Sequence, residues 1–491
     1  MSGERKSAKS IVNQALLHYK NANVAVKASL WFTVCSIIQK GISVLTMPVF
    51  TRLMSTEQYG KYNVFLTWYN ILILLVTLNV HTEIFNKGLI EHSEERDSYT
   101  ASQAGLLIAL TAFWIVLYLP FHRFVNQLLG LTTVLVLFMI FEILGTAIVG
   151  LWSARKRFEF DYPKIVKLTI SMSVLNPVIG VIAVLVTEHK AEAKVIANAI
   201  IPIVVSIGIL FIFSKKGKLF GNRQWWKPVV IACLPLVPHY LSLVLLNQSD
   251  KLMINHFTGP ADAAIYSVAH SAGLLMTIIN NSINGSFVPW AYDRLKNQNG
   301  EGIRSVSNSL LGIVVFVNVL LIWLAPEAIR LLAAPQYSEA IWCLVPIAMS
   351  VYFYFAYTLF VDMEIYYGAN HYIAIASVCA AVLNIVLNYV FIPIYGYVAA
   401  GYTTLFSYFA TMVLHLVFLM RVLKDRRAIL HLFDFKMLVA LTVLLVLLSG
   451  LAMALYSHPV IRLSVVSLVF VLAVANNKRM MAFVEQLRMR K

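Results

Sequence analysis

Long apolar stretches alternate with short polar connections fourteen times along this chain. The apolar segments begin near Ala28, Tyr62, Gln103, Leu131, Ile165, Val195, Pro228, Ala263, Val306, Ala340, Tyr372, Val398, Lys436 and Val460. Most run for about 20 residues or more, which as helix crosses a hydrocarbon core of roughly 30 Å. They lack the two-residue alternation of barrel strands, and only internally bonded helices or closed barrels satisfy backbone polar groups in lipid. The pattern predicts an all-α polytopic membrane protein with 14 transmembrane helices. The longest connections, such as Lys87 to Ala101 and Trp290 to Arg304, leave no room for a soluble catalytic or receptor domain.

Composition agrees: 59% of residues are apolar, 13% are charged and the mean hydropathy is +0.76. Soluble domains carry about 25% charged residues. The net charge of +16 could serve nucleic acid, but its placement excludes that. Thirty of the 39 Lys and Arg residues lie in the two tails and the even-numbered connections, eight lie in the odd-numbered ones, and Lys40 sits inside segment 1. This is the positive-inside pattern, and it predicts cytoplasmic termini. Arg155-Lys156-Arg157, Lys215-Lys216-Lys218 and Arg426-Arg427 set topology and face anionic headgroups. No cleavable signal peptide is expected. The polar, basic residues 1–27 carry a weak amphipathic pattern at Ile11, Val12, Ala15, Leu16 and Tyr19 that fits the inner membrane surface. Cys35, Cys233, Cys343 and Cys379 fall within spans without zinc or redox spacing, and read as packing residues.

An internal repeat divides the row of segments. YGKYNV at 59–64 echoes AAIYSV at 263–268, aligning Tyr62 with Tyr266 and Val64 with Val268. Val174-Leu175-Asn176 echoes Val382-Leu383-Asn384 at a similar offset. Six segments separate the partners, so the repeats share one orientation and imply two six-helix halves related by an axis along the membrane normal. The predicted organisation is a cytoplasmic tail (1–27), a six-helix bundle (28–214), a cytoplasmic linker (215–227), a second bundle (228–422), helices 13 and 14 (423–476) and a basic cytoplasmic tail (477–491).

Polar residues within the spans recur at helical period. Segment 2 carries Asn63, Thr67, Asn70, Thr77 and His81 on one face. Segment 8 carries Ser267, Ser271, Thr277, Asn281 and Asn284, and Asn63, Thr67 and Thr77 align with Ser267, Ser271 and Asn281. Segment 1 adds Thr33, Ser36, Lys40 and Ser43. The repeat carries Ser36 to Tyr240 and Ser43 to Asn247 in segment 7, with Lys251 one turn beyond. Segments 1, 2, 7 and 8 are therefore candidate walls of a wet cavity. The alternative is interhelical glue, worth about 0.6 kcal/mol per hydrogen bond.

A charge at a helix centre costs roughly 2.5–3.5 kcal/mol on insertion scales, so each one needs a partner, water or a task. Lys40 either lines the cavity or pairs with a carboxylate. Glu142, in segment 4, is either protonated and hydrogen-bonded or couples transport to H+ or Na+. Arg52, Asp250 and Lys251 near outer ends, and Glu83, Asp362 and Glu364 near inner ends, are either gate ion pairs or interface anchors. Pro48, Pro177, Pro202, Pro235 and Pro238 lie inside segments, and the last two, beside His239 and Tyr240, predict a bending point. No GxxxxGK[ST], HExxH or GxSxG motif occurs, so P-loop nucleotide hydrolysis is excluded.

MPVFTRLMSTEQYGKYNVF (47–65) resembles the helix 1–2 signature of bacterial polysaccharide repeat-unit flippases of the Wzx type. KLMINHFTGPADAAIYSVAHSAG (251–273) resembles their helix 7–8 signature. That family belongs to the multidrug/oligosaccharidyl-lipid/polysaccharide exporter superfamily. The resemblance implies a MATE-like V of two pseudo-symmetric six-helix bundles around a central cavity, with two C-terminal helices added. It also implies a bacterial plasma-membrane transporter, not an enzyme, that flips undecaprenyl-pyrophosphate-linked oligosaccharide by alternating access. The expected partners are that polyprenyl-pyrophosphate-linked oligosaccharide, membrane lipids and other polysaccharide assembly proteins, with no nucleic acid. No cofactor is expected beyond H+ or Na+ coupling. Lys40, Arg52 and Lys251 would hold the pyrophosphate, while Asn, Ser, Thr and Tyr on the stripes would bond sugar hydroxyls. Competing functions are a lipid II flippase, a cation-coupled multidrug exporter and, less favoured because the outer loops are short, a membrane polysaccharide polymerase.

Overall fold

A computed structural model describes residues 23–217, 220–297, 302–423 and 432–475. Each of the fourteen apolar segments is helical, and no strand occurs among the described residues. In chain order the helices are α1 (Val24–Leu53), α2 (Thr56–Thr77), α3 (Glu83–Glu91), α4 (Arg96–Leu129), α5 (Thr133–Phe158), α6 (Tyr162–Leu185), α7 (Lys190–Gly217), α8 (Arg223–Cys233), α9 (Val237–Phe257), α10 (Pro260–Lys296), α11 (Ile303–Trp323), α12 (Ala325–Leu332), α13 (Ala340–Tyr366), α14 (Asn370–Tyr395), α15 (Val398–Leu423), α16 (Phe435–Ala454) and α17 (Pro459–Ala475).

Among the described residues, eleven helices are long and apolar enough to cross a membrane, or twelve if the broken pair at segment 7 is one span. α2 is not among the eleven, because its polar stripe dilutes its hydropathy. The amphipathic pattern at Ile11–Tyr19, Lys218, Arg426-Arg427 and the basic tail from 477 lie outside the described residues.

Local chemistry sets the helix ends. The Thr132 side chain caps α5, Asn222 caps α8, and the Asp434 carboxylate accepts from the Lys436 and Met437 amides at the start of α16. Arg304 bonds the same carboxylate, so this exposed group titrates below the ordinary aspartate range. Gly130, at φ 65°, ends α4 in the left-handed conformation. Arg155, Lys156 and Arg157 close α5, and Lys215 and Lys216 close α7, where they oppose the negative ends of helix dipoles.

The folded chain also reshapes the connections. The stretch from Lys87 to Ala101 is mostly helix, comprising the end of α3 and the start of α4. α10 continues to Lys296, well past Trp290. Pro235 and Pro238 break segment 7 with a 3-10 turn at Leu234–Leu236, as the proline pair predicts.

The helices form two compact units. Of the described residues, the first contains those up to 53 and from 68 to 238, and the second those from 54 to 67 and from 239 onward. In the first, α5 packs on α7, α6 on both α1 and α7, and α4 on α5 and α7. Gly145 lets α5 meet the Pro202 backbone of α7, where a Cβ would stand 2.7 Å from the Pro202 carbonyl oxygen. The Trp226 indole donates to the Ser102 carbonyl at 2.9 Å and fastens α8 to α4.

In the second unit, α13 is the central helix, packed against α15, α10 and α11. Arg462 of α17 is buried and forks onto both Glu327 carboxylate oxygens at 2.6 and 2.7 Å, while also donating to the Trp323 carbonyl. An arginine in an odd-numbered connection thus acts as a clamp that ties the C-terminal helix to α11 and α12. The first half of α2, up to Thr67, also belongs to this unit. Gly60 lies so close to the start of α10 that a Cβ there would fall 1.8 Å from the Pro260 carbonyl oxygen, and Tyr59 packs edge-on against Tyr337. The two stretches that carry the family signatures therefore meet backbone to backbone.

That contact predicts an asymmetry between glycines. Gly60→Val should cost about 1–3 kcal/mol by overpacking and visibly lower the melting temperature in detergent. Gly208→Ala, where no atom lies within 4 Å of the added methyl, should be neutral or slightly stabilising. Equal melting temperatures for wild type and Gly60→Val would refute the contact.

Candidate transport site

The most developed polar site lies inside the second unit and is centred on Asp250, which is 1% exposed. Its carboxylate is held from three other helices. The Tyr266 hydroxyl (α10) donates to Oδ2 at 2.5 Å, Thr404 (α15) to the same oxygen at 2.8 Å, and the Asn388 amide (α14) to Oδ1 at 2.5 Å. A second layer orients these donors. Thr403 donates to the Asn388 carbonyl oxygen, and the Asn384 carbonyl oxygen accepts from Ser249 at 3.2 Å and from Asn388 at 3.1 Å. A buried carboxylate without such bonds would carry a desolvation cost of several kcal/mol. Sequence reasoning placed Asp250 at a gate or interface; in the structure it is a buried hub of hydroxyls and amides.

Its neighbours on α9 extend the site. The Asn247 carbonyl oxygen accepts from the Tyr408 hydroxyl at 2.9 Å. Lys251 is half-buried and donates to Gln248 at 3.1 Å. On α10, Asn281 is exposed and bonded by the Tyr354 hydroxyl at 3.4 Å, and Asn284 lies beside the Asp362 carboxylate. Ser271 and Tyr240 are half-buried. Near the other end, fully buried Glu364 takes its partner from α15, with one carboxylate oxygen 2.8 Å from Nδ1 of His415. Tyr292 donates to the Asp362 backbone carbonyl at 2.8 Å, which joins α10 to α13.

The stripe hydroxyls are largely satisfied within their own helices. Thr67 and Ser267 are each 1% exposed and donate to the Asn63 and Ala263 carbonyls, and the Asn63 amide donates to the Tyr59 carbonyl. Asn70 is half-buried.

In the first unit, Glu142 of α5 is 7% exposed, and its electrostatic partner is Lys194 of α7, itself 4% exposed. The Lys194 ammonium donates to Asn198 at 3.0 Å and stands 3.8 Å from the Phe50 ring centroid. Thr146, one turn after Glu142, accepts from Tyr69 at 2.9 Å. The charge count assigned Lys194 to an outer connection; the structure corrects this, because α7 begins at Lys190 and carries Lys194 into the packed interior. Lys40 and Arg52 are both exposed on α1, and Arg52 bonds the Pro48 carbonyl at 2.9 Å. Glu83 opens α3, and its side chain is outside the described set.

Sequence reading missed Asn388, Thr403, Thr404, His415, Lys194 and the tyrosines of α13 and α15. Part of the signal was present: Tyr266 and Asn384 both stand in the internal echoes, and Asn384 and Asn388 are one helical turn apart.

Many apolar helices, two helical units and charges held inside them define a multi-pass membrane protein. The chain belongs to the polysaccharide biosynthesis protein family, whose model matches residues 25–293. "Lsg locus putative protein 1" of Haemophilus influenzae is 20% identical over 373 residues, which cover 73% of this chain and 89% of that protein. In fold, the chain is similar to a structure of the lipid II flippase MurJ in an inward closed conformation. The TM-score is 0.70 at 13% identity, covering 92% of this chain and 100% of that one. It is also similar to an inward-facing multidrug resistance MATE family transporter of the MOP superfamily, with a TM-score of 0.62 at 15% identity, covering 80% and 98%. The fold expected from the two signature stretches is thus the one this chain shares with those two structures.

The Asp250 hub predicts a specific stability pattern. Asp250→Ala would leave Tyr266, Thr404 and Asn388 without their acceptor, at about 1–3 kcal/mol for each group left unpaired. The melting temperature in detergent should fall sharply. Asp250→Asn keeps one acceptor oxygen and should fall less; equal losses for the two variants would remove the hydrogen-bond explanation.

Proposed function

We propose that this protein flips undecaprenyl-pyrophosphate-linked oligosaccharide repeat units from the inner to the outer leaflet of the bacterial plasma membrane, for surface-polysaccharide biosynthesis. The observation that carries this reading is the polysaccharide-biosynthesis family match over residues 25–293, the stretch holding both signature motifs and most of the intramembrane polar residues. A pyrophosphate and its sugars cannot cross hydrocarbon unaided, whereas a polyprenyl tail remains at home in the bilayer. The work of the protein is to replace water around the polar head while the tail stays in lipid.

On this reading Lys40, Arg52 and Lys251 provide cationic contacts for the pyrophosphate, and Asn63, Asn70, Asn247, Asn281 and Asn284 offer amides to sugar hydroxyls. Alternating access exposes the site to one side and then the other, with both termini in the cytoplasm as the charge asymmetry predicts. Lacking a P-loop motif, the chain would draw on an ion gradient, the membrane potential, the substrate gradient or a separate protein. The Asp250 hub supports cation coupling. It gathers carboxylate and hydroxyl oxygens from α9, α10 and α15, a set that suits a hard cation such as Na+ or a proton, while the Asn388 amide N–H of α14 donates to the carboxylate. Glu142 beside Lys194 is the equivalent candidate in the first unit. Lipid II is the competing cargo, favoured by the fold similarity to its flippase over 92% of the chain.

Depleting the protein should trap lipid-linked repeat units on the cytoplasmic leaflet, measured by protection of their sugars from an added glycosidase. Units reaching the outer face at the normal rate, in a strain without a second flippase, would refute the function. Lys40→Ala should lower flipping by roughly tenfold or more, the worth of one charge-assisted bond, with protein abundance unchanged. Asp250→Asn should abolish the dependence of flipping on the driving cation gradient; retained dependence would exclude the hub as the coupling site.

A further inference from the structure

Helix α13 is the most enclosed helix of the second unit, and its one open stripe has an unexpected composition. Between Cys343 and Glu364 every residue is buried except Tyr354, Tyr357, Thr358 and Val361. Their spacing of three, one and three residues places them on a single face. A stripe open to lipid would be aliphatic, because polar groups facing hydrocarbon lack partners. Three of these four side chains carry hydroxyls; Thr358 returns its own to the Phe355 carbonyl at 2.7 Å, and the two tyrosines give the stripe a polar aromatic edge.

Neighbouring helices complete the surface. Tyr408 of α15 stacks on Tyr357 with ring centroids 6.2 Å apart, and Tyr354 meets both rings edge-on, at 5.4 Å from Tyr357 and 6.1 Å from Tyr408. Each end of this aromatic group is tied to an amide on a polar stripe: Tyr354 to Asn281 on α10 and Tyr408 to Asn247 on α9. Four helices thus hold three rings and two amides in one bonded cluster. Mutual stacking and hydrogen bonds fix the rings, so little conformational entropy remains to be lost when a ligand arrives.

We propose that Tyr354, Tyr357 and Tyr408, with Asn247 and Asn281, form a sugar-recognition wall that takes a pyranose ring of the lipid-linked cargo. This rests on the transport reading above and names the part of the site that reads the saccharide. A pyranose has an apolar C–H face that packs against an aromatic ring, and an equatorial rim of hydroxyls that matches phenol and amide groups. Sites built around hydrogen bonds discriminate strongly against ligands lacking the matching hydroxyl, so this wall would set sugar specificity while the cations hold the pyrophosphate shared by all such carriers.

The test uses full-length protein in vesicles and two probes: undecaprenyl-pyrophosphate bearing one N-acetylhexosamine, and the same carrier bearing a tetrasaccharide. Tyr354→Ala should lower tetrasaccharide flipping by about tenfold and single-sugar flipping by less than about twofold, since loss of one stacking and hydrogen-bonding group weakens only the longer saccharide. Tyr354→Phe, which keeps the ring, and Asn281→Ala, at an exposed position, should fall between Tyr354→Ala and wild type. Equal losses with both probes in protein as stable as wild type, or no loss with the tetrasaccharide, would overturn the wall. If wild type flips neither probe, calorimetric titration with the tetrasaccharide carrier decides: binding weakened by Tyr354→Ala retains the wall and rejects the flippase reading. Absent or unchanged binding rejects the wall.

Discussion

Hydrocarbon offers no hydrogen bonds, and the rest of this structure follows from that constraint. It forces the backbone into helices and makes most buried polar side chains find a partner from the protein. Threonines and serines of the stripes meet the demand locally, by returning their hydroxyls to carbonyls one turn back. Charged groups cannot be satisfied this way and draw several helices together. The buried charges are therefore where the architecture is most exactingly organised and where transport chemistry can reside.

Four solutions to a buried charge stand side by side. Asp250 is wrapped by hydroxyls and amides, Glu364 meets His415, Glu142 is offset by Lys194, and Arg462 is clamped by Glu327 and a backbone carbonyl. They differ in what they can do. The arginine fork binds both Glu327 oxygens and a backbone carbonyl and fixes α17 in place. A carboxylate among oxygen donors can exchange a proton or a hard cation for those bonds at modest cost, because the donors can rotate between acceptors. The same physics makes Arg462 a clamp and Asp250 a candidate for coupling.

Much of the fold was legible along the chain. All fourteen segments are helices, and the proline pair in segment 7 marks a real break. The candidate site was legible only in part. Asp250, Asn247 and Asn281 stood out because they interrupt apolar runs at helical spacing. Asn388, Thr404 and His415 did not, because a single amide or hydroxyl in a span is ordinary until its partner is known. Lys194 was misread, since charge counting assigns a lysine near a helix start to the loop.

The sequence by itself determined the helical membrane class, the placement of the spans, the charge asymmetry and the positions of the prolines. Each of these depends on hydropathy and short-range spacing, which a linear reading contains in full. Only the tertiary structure decided which polar residues act together. Tyr266, Asn388 and Thr404 converge on Asp250 from positions up to 154 residues away, and Tyr354 reaches Asn281 across 73. Such contacts are selected by helix packing, because a carboxylate or a phenol in hydrocarbon is stable only where several helices happen to bring its partners within hydrogen-bond reach.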